Sequence, residues 1–315
     1  MSNTDKLQAS DDFSKARGRA ILSQIHHFMN VDKDKLLSFN DVKEILKPKH
    51  ETYRGMQTIA IDLIVGSEGR YRDFNKFFLP RSEYLRQRWE RVDLARIKDI
   101  PLPPIQLYEI GGVYFVRDGN HRVSVARSQG VEQIDAEITS LSSEIRISPD
   151  MTTDDLRVSL ISYEKNLFYE KTGFGRLTGN KDLDFSAPGR YDVIYNHILV
   201  HKYFLNQHVS GEIPFGEALV SWYNKVYEPI IEIIQDERLY LNFPGRTPSD
   251  LYVWIVKHWD FLKQKYGVHF PVSEAALDFS QKYGAPRKGL SGLIANSIDR
   301  IFKRSPSDKQ KNQFK

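Results

Sequence analysis

The stretch PIQLYEIGGVYFVRDGNHRVSVARSQG, residues 104 to 130, restricts the fold more than any other part of the chain. Two apolar runs flank Gly111-Gly112, and adjacent glycines suit the positive-φ turns that join twisted antiparallel strands. The second run, VYFVRD, passes through Asp118, Gly119, Asn120, His121 and Arg122 into HRVSVARSQG, which reads as a short helix with Gly130 at its C-terminal cap. Beyond it QIDAEIT alternates Ile134, Ala136 and Ile138, the pattern of a half-buried strand. A plain turn would need only Asn-Gly or Asp-Gly. Five residues with strong hydrogen-bonding or permissive backbones at one strand-to-helix junction ask for a further reason.

On either side the patterning changes. TIAIDLIV is a strand candidate, followed by the glycine-punctuated, arginine-rich loop GSEGRYRDF. DFNKFFLPRSEYLRQRWERVDLARIKDI carries helical patterning interrupted by Pro80. Ahead of these, FSKARGRAILSQIHHFM sets Ala20, Ile21, Ile25 and Phe28 on one helical stripe, and Ser38 is placed to cap the helix of SFNDVKEIL. From about residue 150 the chain turns helical and aromatic, through YDVIYNHILVHKYFLNQH, FGEALVSWYNKVYEPIIEIIQ and SDLYVWIVKHWDFLKQKY. The last has Thr247 as cap, Pro248 at the first helical position and Asp250 three residues after the cap. The expected architecture is α+β. A helical segment covers 1–50, a small mixed-sheet domain 51–145, a mainly helical domain 146–290, and a basic tail expected to be disordered 291–315.

Composition narrows the function classes. Of the 315 residues none is cysteine, which excludes disulfides, thiolate catalysis and cysteine-based zinc sites. A hydrophobic content of 40% with 12% aromatics belongs to a globular chain. The opening MSNTDKLQASDDF lacks the basic and apolar regions of a signal peptide, and no apolar run reaches membrane-spanning length, so a cytoplasmic protein without membrane contact is the expectation. A net charge of +4 is mild for this size. The basic stretch FKRSPSDKQKNQFK offers only salt-sensitive, sequence-independent attraction, so specific DNA binding is not expected.

The junction is built for anions. A helix beginning at residue 120 aims its free N–H groups and the positive end of its dipole at residues 118 to 122. Gly119 permits close approach to the backbone, Arg122 can fork onto two phosphate oxygens, and His121 can donate once more. Asp118 would repel a bare phosphate; it suits a metal ion bridging phosphates, or a proton taken from a substrate hydroxyl. The competing reading makes Asp118 and Asn120 helix caps and Arg122 a surface ion-pair partner.

PIQLYEIGGVYFVRDGNHRVSVAR resembles the core of the ParB/sulfiredoxin superfamily, in which a hairpin runs through a Gly-x-His-Arg or Gly-Glu-Arg-Arg knot into a helix. IAIDLIVGSEGRYRDF resembles the ParB opening, and the chain with its FPGRTPSDLYVWI segment is similar to a bacterial family that couples this fold to a helical domain. The resemblance implies a nucleotide with its phosphates on the knot. Sulfiredoxins carry a catalytic cysteine where Asn120 stands, so their chemistry is not available, and the helical half shows no recognition helix of the ParB kind. The Asp-Gly-x-His-Arg sequence is similar to that of free-serine kinases in the superfamily, which implies a place for Asp118 near a transferred phosphate.

The expected function is therefore binding of a nucleoside di- or triphosphate (ATP, ADP or CTP) with Mg²⁺, followed by hydrolysis or phosphoryl transfer to a small-molecule acceptor. The alternative is a non-catalytic, nucleotide-gated regulatory or nucleic-acid-associated binding module, and on either reading the helical domain would offer its surface to a small-molecule acceptor or a protein partner. Asp118 and Glu68 are the candidate catalytic groups, and Asp118 is the candidate metal ligand. Gly119, Asn120, His121, Arg122, Arg70, Arg72 and Ser67 are the candidate nucleotide contacts. His197 and His201 stand at zinc-ligand spacing on one helix face, but no third ligand accompanies them, and polar packing is the expectation. Arg246, just before a helix cap, offers a second anion point. The aromatic stripe of Tyr252, Trp254 and Trp259 reads as core.

Overall fold

The computed structural model describes residues 3–26, 34–207, 211–267 and 269–285. The chain divides into two compact units, one up to Asn166 and the other from Leu167 onward.

The first unit is an α+β fold around a six-stranded mixed sheet in the order β1-β3-β5-β4-β6-β2. Its strands are β1 (Leu37–Ser38), β2 (Glu51–Ala60), β3 (Ile64–Ser67), β4 (Ile105–Ile110), β5 (Val113–Asp118) and β6 (Gln133–Leu141). β4 and β5 form the hairpin expected from the two glycines: Ile110 pairs with Val113, and φ is +64° at Gly111 and +89° at Gly112. β3 lies parallel to β5, β6 lies parallel to β4, and β2 closes the far edge antiparallel to β6. The single strand read in TIAIDLIV is instead three elements. β2 ends at Ala60, a 3₁₀ turn covers Ile61–Leu63, and β3 starts at Ile64. That turn carries the chain from one edge of the sheet toward the other, which a continuous strand could not do.

Alternation along the strands feeds two cores. Ile105, Leu107, Val116, Ala136 and Ile138 meet α1 (Asn3–His26), α3 (Arg86–Ile97) and α4 (Asn120–Ser128) on one face. Ile110, Val113, Phe115 and Leu141 meet α2 (Phe39–Leu46) and Leu156 of α5 (Thr153–Thr172) on the other. Ser38 caps α2 as expected, its hydroxyl accepting from the Asp41 N–H at 3.3 Å. The buried stripe of α1 differs from the expected one. It runs Ala9, Phe13, Ala16 and Ala20, while Ile21 and Ile25 are 43% and 66% exposed, and Phe28 lies outside the described residues. The alanines let α1 approach closely, and Phe13 packs edge-on to Trp89 at 5.6 Å. Burying such a ring is worth about 2 kcal/mol, more than a stripe of half-exposed isoleucines would gain.

The second unit is helical: α6 (Phe174–Thr178), α7 (Arg190–Asn206), α8 (Phe215–Trp222), α9 (Glu228–Asp236), α10 (Pro248–Tyr266) and α11 (Val272–Tyr283). A single π turn, Tyr223–Tyr227, joins α8 to α9 just before Pro229, whose missing N–H a regular helix would leave as a gap. α10 starts with the full capping box, Thr247 and Asp250 each bonding the other's backbone N–H. Its Tyr252 is buried, accepts from the Trp222 indole at 3.1 Å, and belongs to the core as expected. The expected tail, 291–315, lies outside the described residues. Among the described residues no helix is long and apolar enough to cross a membrane.

Candidate functional site

A cleft of about 570 Å³ opens at the C-terminal end of β5, where Asp118, Gly119, Asn120, His121 and Arg122 turn the chain into α4. Gly119 is the N-cap at φ +106°, and no side chain caps the helix. A Cβ at Gly119 would stand 2.5 Å from Ile105 Cγ2, so only glycine fits between hairpin and helix. The first helical hydrogen bond runs from the Val123 N–H to the Gly119 carbonyl, 3.0 Å. The first-turn N–H groups of a nine-residue helix thus stand uncapped beside the cleft.

Two buried side chains of that turn have an unanswered polar atom. Asn120 is 8% and His121 6% exposed, and neither Asn120 Oδ1 nor His121 Nε2 has a hydrogen-bond partner. Burial, then the charges of Arg88 and Arg70, depress the His121 imidazole to about 4, with Asp73 opposing, so it is neutral at pH 7. Its ring stands edge-on to Phe74 at 5.4 Å.

Arginines dominate the lining: Arg70, Arg88, Arg117 and Arg122. Arg70 is held by Asp73 at 2.8 Å, and Asp73 also accepts from the Tyr84 hydroxyl. Arg117 lies over the Tyr108 ring, 5.6 Å from its centre. Arg88 comes from α3, one position before the buried Trp89, whose indole donates to Ser124 of α4 at 2.9 Å. That bond sets α3 against α4 and brings Arg88 to the cleft. The fork of Arg122 is already engaged, on the Asp118 carboxylate and on the carbonyls of Pro103 and Pro104.

Of the expected residues, Asp118, Gly119, Asn120, His121, Arg122 and Arg70 therefore come together. Ser67, Glu68 and Arg72 do not join them. Ser67 is wholly buried, its hydroxyl donating to the Val116 carbonyl and accepting from the Arg70 N–H, each at 3.2 Å, so it shapes the turn and does not face the cleft. Glu68 is tied by its own N–H to the Val116 carbonyl, and its charge is felt at Tyr108. Arg72 stacks on Tyr71 and lines a separate cleft with Lys35, Arg81 and Arg157. Arg88 and Arg117 were not legible as site residues. For Arg88 the available signal was its i, i+4 partner Val92, which flanks the buried Trp89 and Asp93 positions and also lines the cleft.

In the second unit His197 bonds the Tyr252 hydroxyl at 3.2 Å and His201 bonds Ser221 at 3.0 Å. These are packing partners, and burial lowers both imidazoles below their ordinary range. Arg246 donates to Ser186 at 2.9 Å and stacks on Trp254. Among the described residues no group of three or more His, Asp or Glu could hold a metal ion.

No family model and no curated protein matches the chain. Among solved structures, one described as the C2221 form of a Pnob8-like ParB-N domain is similar, with a probability of 0.98, over 80% of this chain and 99% of that one. The identity is 9% and the TM-score 0.19, and the likeness says nothing of activity.

Proposed function

We propose that the cleft at the start of α4 binds a nucleoside di- or triphosphate through its phosphates. The observation that carries this reading is the pair of orphaned atoms, Asn120 Oδ1 and His121 Nε2, on an uncapped helical turn lined by arginines. A buried polar atom without a partner costs about 1–3 kcal/mol, and a ligand that answers both atoms would recover that cost. Phosphate oxygens accept from the first-turn N–H groups and from a neutral imidazole N–H, with Arg70, Arg88 and Arg117 balancing the charge. Mg²⁺ fits as a companion of the phosphates: it takes oxygen ligands and keeps several waters, and the donors offered here are the Asp118 carboxylate and Asn120 Oδ1.

Hydrolysis, or phosphoryl transfer to a small acceptor, would depend on Asp118, the one carboxylate among the described lining residues. Its ion pair with Arg122 favours a second reading, a non-catalytic module gated by nucleotide, because Asp118 must release Arg122 before it can take a proton or a metal. A thermal-shift panel of nucleoside di- and triphosphates, with and without Mg²⁺, tests the binding step. A ligand at 100 times its Kd should stabilise the protein by about 2.7 kcal/mol. No shift with any nucleotide, in either condition, defeats the reading.

A further inference from the structure

The turn that sends Arg70 to the phosphate cleft sends Arg72 elsewhere. The Asp73 N–H closes this turn on the Arg70 carbonyl at 3.0 Å, and Arg72, one position earlier, lines a separate cleft of about 430 Å³ within the first unit. Three further cations line it, each from a different segment: Lys35 just before β1, Arg81 just after Pro80, and Arg157 from α5. Cations this far apart in sequence meet only because the fold brings them together.

The three guanidinium groups are held to different degrees. Arg81 is fixed, its Nη2 donating to the Asp34 carbonyl at 2.6 Å and to the Asp34 carboxylate at 2.7 Å. Asp34 is only 2% exposed and also accepts from Asn75 at 3.2 Å, so the anchor itself is rigid. The buried Nε of Arg81 has no partner. Arg72 lies over the Tyr71 ring, 5.5 Å from its centre, and Tyr71 packs against the core. Among the described residues Arg72 makes no hydrogen bond or ion pair. Arg157 pairs with Asp154 at 2.7 Å, but both side chains are exposed, so water competes for the pair and a ligand can replace it.

The rest of the lining sets the kind of anion. α2 and α5 both begin at this cleft, which adds the positive ends of two helix dipoles. Their caps are already in use, Ser38 accepting from the Asp41 N–H and Thr152 from the Asp155 N–H. These helix starts therefore add charge, where the start of α4 adds open N–H groups. Asp41 and Asp154 also stand in the lining. Two carboxylates disfavour a ligand that is negative along its whole length, such as a triphosphate, and accept readily from hydroxyl groups. A cleft of this volume holds a small molecule. We infer that it is a second anion site, separate from the phosphate cleft, for a small hydroxylated molecule with one carboxylate or phosphate-ester group. The anionic group rests on Arg72 and Arg81, where planar forks suit either oxyanion, and the hydroxyls turn to Asp41 and Asp154.

Calorimetry on the full chain tests this in about 150 mM salt, which screens loose surface attraction. The probes are glycerol phosphate and glycerate, which share hydroxyl groups and differ in the anionic group. The variants are Arg72→Gln, at an exposed side chain with no bond to lose, and Arg88→Gln in the phosphate cleft. Thermal unfolding verifies that both variants fold. At least one probe should bind the wild type with a Kd of about 1 mM or tighter. That probe should lose about tenfold in Arg72→Gln, about 1.4 kcal/mol, and stay within about twofold in Arg88→Gln. Binding of glycerol phosphate alone assigns the site to phosphate esters, and binding of glycerate alone assigns it to carboxylates. Three results overturn the inference: no binding of either probe at about 10 mM, wild-type affinity in Arg72→Gln, or an equal loss in Arg88→Gln. Nucleotide binding through the phosphate cleft should be unchanged in Arg72→Gln, so the two sites stand or fall separately.

Discussion

Arg122 reaches back one turn along α4 to hold the carboxylate of Asp118, and with the same guanidinium it grips the carbonyls of Pro103 and Pro104. One side chain thus ties the end of β5, the first turn of α4 and the segment leading into β4. Sequence logic put this fork on phosphate oxygens. In the structure it frames the cleft, and the charge facing a ligand falls more to Arg70, Arg88 and Arg117.

Replacing Arg122 with alanine should therefore act on both stability and binding. Loss of charge-assisted bonds at a side chain only 14% exposed should cost about 2 kcal/mol in urea unfolding. Nucleotide affinity should fall tenfold or more as the 102–104 segment loosens. Arg122→Lys should not rescue either property, because an ammonium cannot serve a carboxylate and two carbonyls in one plane. A lysine variant with wild-type stability and affinity would show that the fork is dispensable.

Asp118→Asn keeps size and hydrogen bonding but removes the charge that a metal or a proton needs. If a phosphoryl step occurs, turnover should drop at least a hundredfold with binding changed much less. Phosphate release and acceptor phosphorylation, assayed beside calorimetry, separate these effects. Full turnover in the asparagine variant removes Asp118 from the chemistry.

Local signals carried the hairpin, α4 and the α10 capping box, because each depends on residues within a few positions of one another. Gly111-Gly112 and Gly130 admit the positive φ that a hairpin turn and a helix end require, and Thr247-Pro248-Ser249-Asp250 carries cap, fixed φ and capping partner within four residues. What failed depends on partners distant in sequence. Small alanines on α1 were chosen over isoleucines because Trp89 waits opposite. Nothing within GSEGRYRDF says that Arg70 turns toward His121 while Arg72 turns toward Lys35 and Arg157. Arg88 enters the cleft only because Trp89 and Ser124 fix the rotation of α3 against α4.

Two glycines separate backbone strain from steric closure. Gly112 sits at φ +89° with open space where a Cβ would go, so Gly112→Ala should cost about 1 kcal/mol of strain alone. Gly119 sits at φ +106° with Ile105 Cγ2 2.5 Å from the same point, and Gly119→Ala should cost about 3 kcal/mol. Urea midpoints of the two variants provide the comparison. Equal losses would mean that the hairpin and α4 do not press on Gly119.

The pH dependence of stability contains two opposing contributions from the first unit. His121 is pushed down to about 4 by burial and by Arg88 and Arg70, against Asp73. The unfolded chain, with an ordinary imidazole near 6.5, binds the proton more readily, so this contribution is complete above 6.5 and is lost as pH falls toward 4. Asp93 is pushed up to about 6, chiefly by burial and then by Asp12, with Glu90 adding and Gln129 and Arg96 opposing. Gln129 donates to its Oδ1 at 2.6 Å, and its Oδ2 has no partner. Here the folded chain binds the proton more readily. That contribution is complete below the ordinary carboxylate value of 3.8 and is lost as pH rises through 6. At about 1.4 kcal/mol per pH unit each amounts to about 3 kcal/mol, and between pH 4 and 6.5 they nearly cancel. Substitution should expose each one. Relative to the wild type, Asp93→Asn should lose about 3 kcal/mol between pH 6.5 and 4, because only the histidine contribution remains. His121→Gln should gain a similar amount over the same interval. Urea unfolding at pH 4, 5, 6 and 7 measures both slopes, and two variants that run parallel to the wild type would remove His121 and Asp93 from the acid response.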